Sequence, residues 1–258
     1  MLSKFISALK IIKLMKNFPV YFFDYFGMIK APYITYELRN GVKYRVRSGT
    51  TDRGVINEIW VHKDYTPKGF KIKNNDIVLD VGGHIGIFSI FASKMANYGK
   101  VYVFEPFPEN FDLLNKNIKL NRAYNIKPFN VALSDKTGTK EFFVSETENK
   151  GGGSFYERKE KKTRKIKIKT QAFNEFFDKN EIQKIDFLKM DCEGGEYSIL
   201  LKCYKKNLKK IKKMSIEYHN INKKQNGLIL RKFLEKSGYK VLVSPISKRR
   251  GMIYAKLS

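Results

Sequence analysis

The stretch Asp80-Val81-Gly82-Gly83-His84-Ile85-Gly86 constrains this chain more than any other part of it. It ends a short apolar run beginning at Ile77 and leads into a helical pattern over residues 86–97. A strand that is apolar on successive positions is covered on both faces, so helices must flank its sheet on both sides. The alternation then repeats. Strands are predicted over 101–104, 126–132, 185–190 and 213–218, and helices over 108–121, 171–179, 195–207 and 223–237. A short extra strand fits 140–145, and 239–243 with 252–256 suits a closing antiparallel hairpin. The pattern predicts an α/β fold: a doubly wound, Rossmann-like, mostly parallel sheet of seven strands with a C-terminal antiparallel hairpin.

In front of it, residues 1–30 read as helical, 33–47 as a hairpin turning at Asn40-Gly41, and 53–62 as a helix. Residues 1–70 are therefore expected to form a helix-and-hairpin cap, and 71–258 the main domain. Lys4, Lys10, Lys13 and Lys16 interrupt the apolar N-terminal residues before a spanning length accumulates, and no small-residue cleavage site follows. The segment reads as an amphipathic helix, packed on the domain or lying on a membrane surface. Cys192 and Cys203 give neither a disulfide framework nor metal-ligand spacing, which favours a reducing, cytoplasmic setting.

The net charge of +26 invites a polyanion: a nucleic acid or an acidic membrane surface. Against that, 41 of the 51 basic residues are Lys, spread along the chain with dense runs at 159–169 and 202–213. Paired recognition of phosphate favours Arg, so a lysine-biased composition explains the charge as well as a partner does.

Glycines at a strand-to-helix junction let a ligand approach the backbone, beside free N–H groups at the helix start. A dinucleotide loop needs G-x-G-x-x-G, yet from Gly82 the second glycine position is His84 and the third Ile87. A nicotinamide oxidoreductase is thereby disfavoured. Gly82 and Gly86, four apart and preceded by Asp80, suit a ligand without pyrophosphate, such as S-adenosylmethionine. Glu105 ends the second strand, where a carboxylate can accept both ribose hydroxyls. Its alternative role is to cap the helix marked by Pro106 and Pro108. Ala132 lies in Asn130-Val-Ala-Leu-Ser-Asp135, at the carboxyl end of the third strand and beside the expected adenine. The fourth strand ends in Asp191 and Glu193, whose carboxylates are expected in the same crevice. Glu196 is read as balancing the next helix dipole. Glu217 and His219 end the fifth strand.

Seven strands closed by a hairpin is the class I methyltransferase count. Four phrases carry a narrower likeness: Asp80–Gly86, Phe104-Glu-Pro-Phe-Pro-Glu-Asn110, Asn130–Asp135 and, above all, Lys189-Met-Asp-Cys-Glu-Gly-Gly-Glu196. They resemble the FkbM-type methyltransferase family, and Ser48-Gly-Thr-Thr-Asp52, Glu58-Ile59 and the loop 151–154 are similar to further parts of it. The likeness covers roughly residues 45–220. It implies a class I fold, S-adenosylmethionine as donor and a hydroxyl acceptor on a sugar or natural product. Gly83-His84 departs from the family, which commonly has Ala-Asn there.

The expected cofactor-binding residues are Asp80, Gly82, Gly83, His84, Gly86, Glu105, Pro106, Ala132 and Asp191. The expected catalytic residues are His219 as the base that deprotonates the hydroxyl, Glu217 orienting it, and Glu193 placing the acceptor. A divalent cation held by carboxylates is an alternative way to acidify the hydroxyl. Two other functions fit the same features: an RNA methyltransferase using the basic surface, and a non-catalytic anion- or membrane-binding module retaining the fold. Oligomeric state is not legible.

Overall fold

The protein was analysed as a computed structural model that describes residues 2–145, 153–155 and 163–258. Gly151 and Gly152 of the predicted glycine loop, and Lys159 to Lys162 of the first basic run, lie outside the described residues. The chain opens with helices α1 (Leu2–Leu14) and α2 (Phe18–Tyr25) and the hairpin β1 (Tyr33–Glu37) and β2 (Lys43–Arg47). Helix α3 (Asp52–Ile56) runs straight into one wider π-type turn, Asn57–His62. The single predicted helix over 53–62 is therefore two pieces. Lys63, in the left-handed region at φ 58°, donates its N–H to the Glu58 carbonyl and ends the second piece.

The alternating part follows as β3 (Ile77–Val81), α4 (Ile87–Met95), β4 (Lys100–Phe104), α5 (Pro108–Leu120) and β5 (Ile126–Phe129). Four strands then leave the main sheet or pair outside it: β6 (Ala132–Ser134), β7 (Gly138–Ser145), β8 (Gly153–Ser154) and β9 (Thr163–Ala172). The chain returns through α6 (Phe173–Lys179), β10 (Phe187–Met190), α7 (Glu196–Leu200), α8 (Lys205–Leu208), β11 (Lys213–His219), α9 (Gly227–Lys236), β12 (Tyr239–Pro245) and β13 (Arg250–Leu257).

Seven strands form one sheet in the order β12-β13-β11-β10-β3-β4-β5. Neighbours from β11 to β5 are parallel, and β13 runs antiparallel between β11 and β12. This is the class I methyltransferase sheet with its closing hairpin, as the alternation predicted. The order reverses between β3 and β10, the place where such sheets open a crevice at the carboxyl ends of their strands.

Two predicted elements divide. The third strand ends at Phe129, and Ala132–Ser134 joins β9, β7 and β8 in a separate four-stranded sheet. Pro128 has no N–H for a further ladder, which suits the sheet edge where β5 lies. Asn130 then turns the chain, its Nδ2 donating to the carbonyls of Glu105 and Pro106 at 2.9 and 3.2 Å. The helix over 195–207 breaks between α7 and α8 because Asn174 satisfies the backbone there. Its Nδ2 donates to the Lys202 carbonyl at 3.0 Å, and its Oδ1 accepts from the Tyr204 N–H at 2.8 Å.

The N-terminal segment shares a core with the α4 face of the sheet: Ile11, Met15, Tyr36, Tyr44 and Ile59 pack in one buried cluster with Val78, Phe88 and Leu114. Its hairpin is also fastened by hydrogen bonds. Asn117 and Asn121 of α5 each bond a backbone N–H and C=O of β2, at Arg45 and Lys43 respectively, with distances of 2.6–3.0 Å. Side-chain amides thus pair an edge that would otherwise present open backbone groups.

Candidate active site

A cavity of about 540 Å³ occupies the crevice over the carboxyl ends of β3 and β10. Its floor is the glycine loop. Gly82 sits at φ +81°, and a Cβ there would lie 1.8 Å from the Asp191 carbonyl oxygen. Both the backbone conformation and the close passage of the β10 end demand glycine at this position. Gly82 and Gly83 both donate their N–H groups to the Phe104 carbonyl at 3.0 Å, tying the loop to β4. Gly86, also at positive φ, starts α4 beneath the loop.

His84 is held from two sides. Its backbone N–H donates to Glu105 Oε2 at 2.8 Å. Its ring Nε2 lies 3.1 Å from Arg47 Nη2 and 3.3 Å from Asp52 Oδ1, and Arg47 in turn grips Asp52 through Nε and Nη2 at 2.9 and 3.0 Å. Burial lowers the His84 pKa; Asp52 opposes this, and the Arg47 and Lys189 charges add to it, leaving the ring below its ordinary value. A neutral ring can accept at Nε2 from Arg47 Nη2, which also donates to Asp52 Oδ1 and so bridges the two acceptors. The N-terminal segment therefore reaches the cofactor loop through this histidine.

Glu105 lines the cavity beside Pro106, Phe107, Ala132 and Leu133. Its Oε1 accepts from the Phe107 N–H at 3.0 Å, just before the following helix, while the residue lines the cavity. Burial outweighs these hydrogen bonds and raises its pKa to about 7. A carboxylate flanked by apolar walls matches a ribose diol next to an adenine ring. Asp191 and Glu193 line the other end of the cavity, an acidic region for the ammonium of a methionine moiety. The residues present thus fit S-adenosylmethionine.

Not every expected residue reaches the cavity wall. Asp80 is fully buried beneath the loop, where its Oδ2 accepts from Ser89 at 2.6 Å and its Oδ1 lies 3.1 Å from Lys189 Nζ. Lys189 also donates to the Gly82 carbonyl at 2.6 Å. Asp80 supports the loop and does not face the cavity, and Gly86 lies below it in the same way.

Glu217 and His219 stand behind the wall that Asp191 and Glu193 form. His219 Nδ1 lies 3.2 Å from Glu196 Oε1, and its Nε2 lies 3.2 Å from Glu193 Oε2 and 3.7 Å from Glu217 Oε1. Burial alone would lower its pKa, but the Glu196, Glu193 and Asp191 carboxylates prevail and raise it to about 9. His219 does not line the cavity, and both of its ring nitrogens face carboxylates, so it stands one residue back from an acceptor bound there. Glu217 does not act mainly on the histidine either. It takes Arg250 Nη1 at 2.6 Å and Tyr65 Oη at 3.3 Å, and burial followed by the Asp191 charge raises its pKa to about 7. Glu196 does more than face the helix dipole. Its Oε1 accepts from the Cys192 and Gly194 N–H groups at 3.2 Å, holding the turn that presents Glu193.

Asp191, Glu217 and His219 bring one ligand atom each within 4.8 Å of one another. Within that group Glu217 is already paired with the Arg250 guanidinium at 2.6 Å.

The family model described as the methyltransferase FkbM domain matches residues 80–241. The chain belongs to the FkbM methyltransferase family. It is an S-adenosylmethionine-dependent methyltransferase. It is similar to the methyltransferase sdnD of Sordaria araneosa, 25% identical over 177 residues that cover 56% of this chain and 68% of that one. It is also similar to the hexuronic acid methyltransferase AglP of Haloferax volcanii, 28% identical over 182 residues, 67% of this chain and 69% of the relative. A third relative is the 31-O-demethyl-FK506 methyltransferase FkbM of Streptomyces tacrolimicus, 29% identical over 106 residues, 41% of this chain and 40% of the relative. Among solved structures, an FkbM methyltransferase from Methylobacillus flagellatus superposes with a TM-score of 0.52 at 15% identity, covering 78% of this chain and 47% of that one. That likeness is one of fold.

Several residues of this FkbM-family cavity were not singled out from the sequence. Tyr65 donates to Asp191 Oδ2 at 3.0 Å, Arg250 arrives from the C-terminal hairpin, and Arg53 and Tyr25 come from the N-terminal segment. No local pattern marks them, because each comes from an element distant in sequence. Lys189 was signalled, as the first residue of the family phrase, but without a role.

Proposed function

We propose that this FkbM-family enzyme methylates a hydroxyl oxygen on a glycan or natural-product acceptor. The observation that carries the reading is that Asp191 and Glu193 share one cavity with Glu105 and the glycine loop. The cofactor would supply an electrophilic methyl group on a sulfonium. Glu105 would hold its ribose, with Pro106 and Ala132 beside the adenine; Gly82, Gly83 and His84 would lie along its methionine part, and Asp191 near its ammonium. Glu193 would accept the hydroxyl proton as the oxygen attacks, a role that positional catalysis and a nearby base together require. His219, kept charged, would act as a positioning residue that orients Glu193. The relatives named for a hexuronic acid and for 31-O-demethyl-FK506 support a sugar or natural-product acceptor.

The test uses labelled S-adenosylmethionine and a panel of sugar and natural-product alcohols. Glu193→Gln is expected to lower kcat about 100-fold or more while leaving cofactor affinity intact. Full turnover by this variant would remove Glu193 as the base.

A second reading has its own observation. Arg53 and Arg250 both line the cavity, which suits an acceptor carrying a carboxylate. A carboxylate oxygen needs no base and would yield a methyl ester. Release of the label as methanol in mild alkali would establish the ester; a stable ether would establish the hydroxyl.

A further inference from the structure

The helix α2 and the chain after it carry a run of large apolar side chains that are exposed among the described residues. Phe23 is 49% exposed, Phe26 69% and Met28 65%, with Tyr25 and Tyr33 also exposed. Burial of such side chains is normally a major source of stability, and grouped exposure of this kind marks a surface used for binding. Charge on this segment is mostly of one sign, with Lys16 paired to Glu37 at the end of β1. Residues 1–36 contain five lysines and a single acid, Asp24, which is buried and engaged by the Tyr36 hydroxyl. The guanidinium groups of Arg53 and Arg45 lie 5.4 and 5.1 Å from the ring centres of Tyr25 and Tyr33. Lys10, Lys13, Lys16 and Lys30 are exposed on the same segment.

We propose that this patch docks the enzyme on the surface of an anionic lipid bilayer. Aromatic and thioether side chains that enter the interfacial layer beside lysines that meet acidic headgroups are the two ingredients of peripheral binding. A nucleic-acid duplex would be served by the basic charge but not by the apolar Met28, and a soluble protein partner would not require a segment free of exposed acids. Tyr25 belongs both to the patch and to the cavity wall, so docking sets the cavity mouth at the bilayer surface. No helix among the described residues is long and apolar enough to cross a membrane, so docking is at the surface only. The inference stands apart from the identity of the acceptor.

The experiment is co-sedimentation of the full chain with vesicles of phosphatidylcholine alone or mixed with phosphatidylglycerol. The wild type is expected to partition onto the mixed vesicles and far less onto phosphatidylcholine. The variant Phe23→Ser/Phe26→Ser/Met28→Ser is expected to lose at least about tenfold in partitioning, since the apolar contribution is removed. Unchanged S-adenosylmethionine binding shows that the variant is folded; Phe26→Ser alone serves if it is not, with a smaller loss in the same direction. Equal partitioning of variant and wild type would overturn the proposal, because simple basicity would then explain the binding. A wild type that ignores both vesicles, or forms a dimer that the variant does not, would also overturn it and assign the patch to a second copy of this chain.

Discussion

His219 shows how surroundings, not residue type, decide a side chain's part in the site. Read from the sequence, an imidazole at a strand end is a base. In the folded chain Glu196 and Glu193 lie 3.2 Å from its two ring nitrogens and stabilise the charged form. With a folded pKa of about 9, above the ordinary value of 6.5, the ring binds its proton more tightly folded than unfolded. Its contribution to stability is therefore complete below about pH 6.5 and disappears as the pH rises through about 9. His219→Gln should lose on the order of 2 kcal/mol near pH 6 and almost nothing extra near pH 10. Thermal melts of the two proteins across that range test this; parallel curves would mean that the imidazole is neutral. Glu105 is the complementary case, a residue expected at the crevice that does line the cavity. Replacing its carboxylate with an amide, Glu105→Gln, should weaken S-adenosylmethionine about 10- to 100-fold in a calorimetric titration, the value of a charged hydrogen-bond acceptor. Glu105 was legible because a strand, a glycine loop and an acid at the next strand end form a local pattern. Tyr65 and Arg250 were not, because only folding brings them to Asp191 and Glu217.

At the scale of elements, the alternation of strands and helices was readable wherever an apolar run had one period and clear punctuation. Ile77–Val81 matches its prediction in full, and the Asn40-Gly41 turn joins β1 to β2 as expected. The four-stranded side sheet was not legible. Its β9, Thr163–Ala172, alternates Lys with Ile on a surface, a pattern that names a strand but not its partner. The join between β10 and the glycine loop was equally hidden, since it depends on a lysine inside a run of apolar residues. Lys189 meets both Asp80 and the Gly82 carbonyl in a buried setting. Burial would lower its pKa, but Asp80 and Asp191 more than compensate and hold it charged. Lys189→Met keeps the volume and strands the Asp80 carboxylate without its cation. Such a break costs about 3–5 kcal/mol, so urea unfolding should shift to a markedly lower midpoint. Asp80→Asn combined with Lys189→Met should recover much of the loss, because no bare charge then remains buried.

The whole molecule carries 51 basic against 25 acidic side chains, and the ion pairs within it do not remove that imbalance. Several of them, such as Lys16–Glu37 and Lys179–Glu175, are exposed and contribute little in water. A net charge of +26 on one compact body repels itself, and unfolding relieves the repulsion by moving the charges apart. Salt shortens the range of that repulsion to about 10 Å at 0.1 M and about 3 Å at 1 M. It also weakens surface pairs, but among the described residues these are outnumbered by lysines without an ion pair. The midpoint of thermal unfolding should therefore rise with sodium chloride. Each kcal/mol of relieved repulsion is worth about 2–4 °C for a domain of this size. A polyvalent anion at equal ionic strength should raise it further if the lysines gather into a binding surface, because a ligand that prefers the folded state adds its own stabilisation. If the lysines are merely dispersed, both salts should follow one curve of melting temperature against ionic strength. Melts in the two salts thus separate a functional anion surface from a compositional bias. A midpoint that falls with sodium chloride would show instead that exposed paired charges, such as Lys16–Glu37 and Lys179–Glu175, outweigh the repulsion.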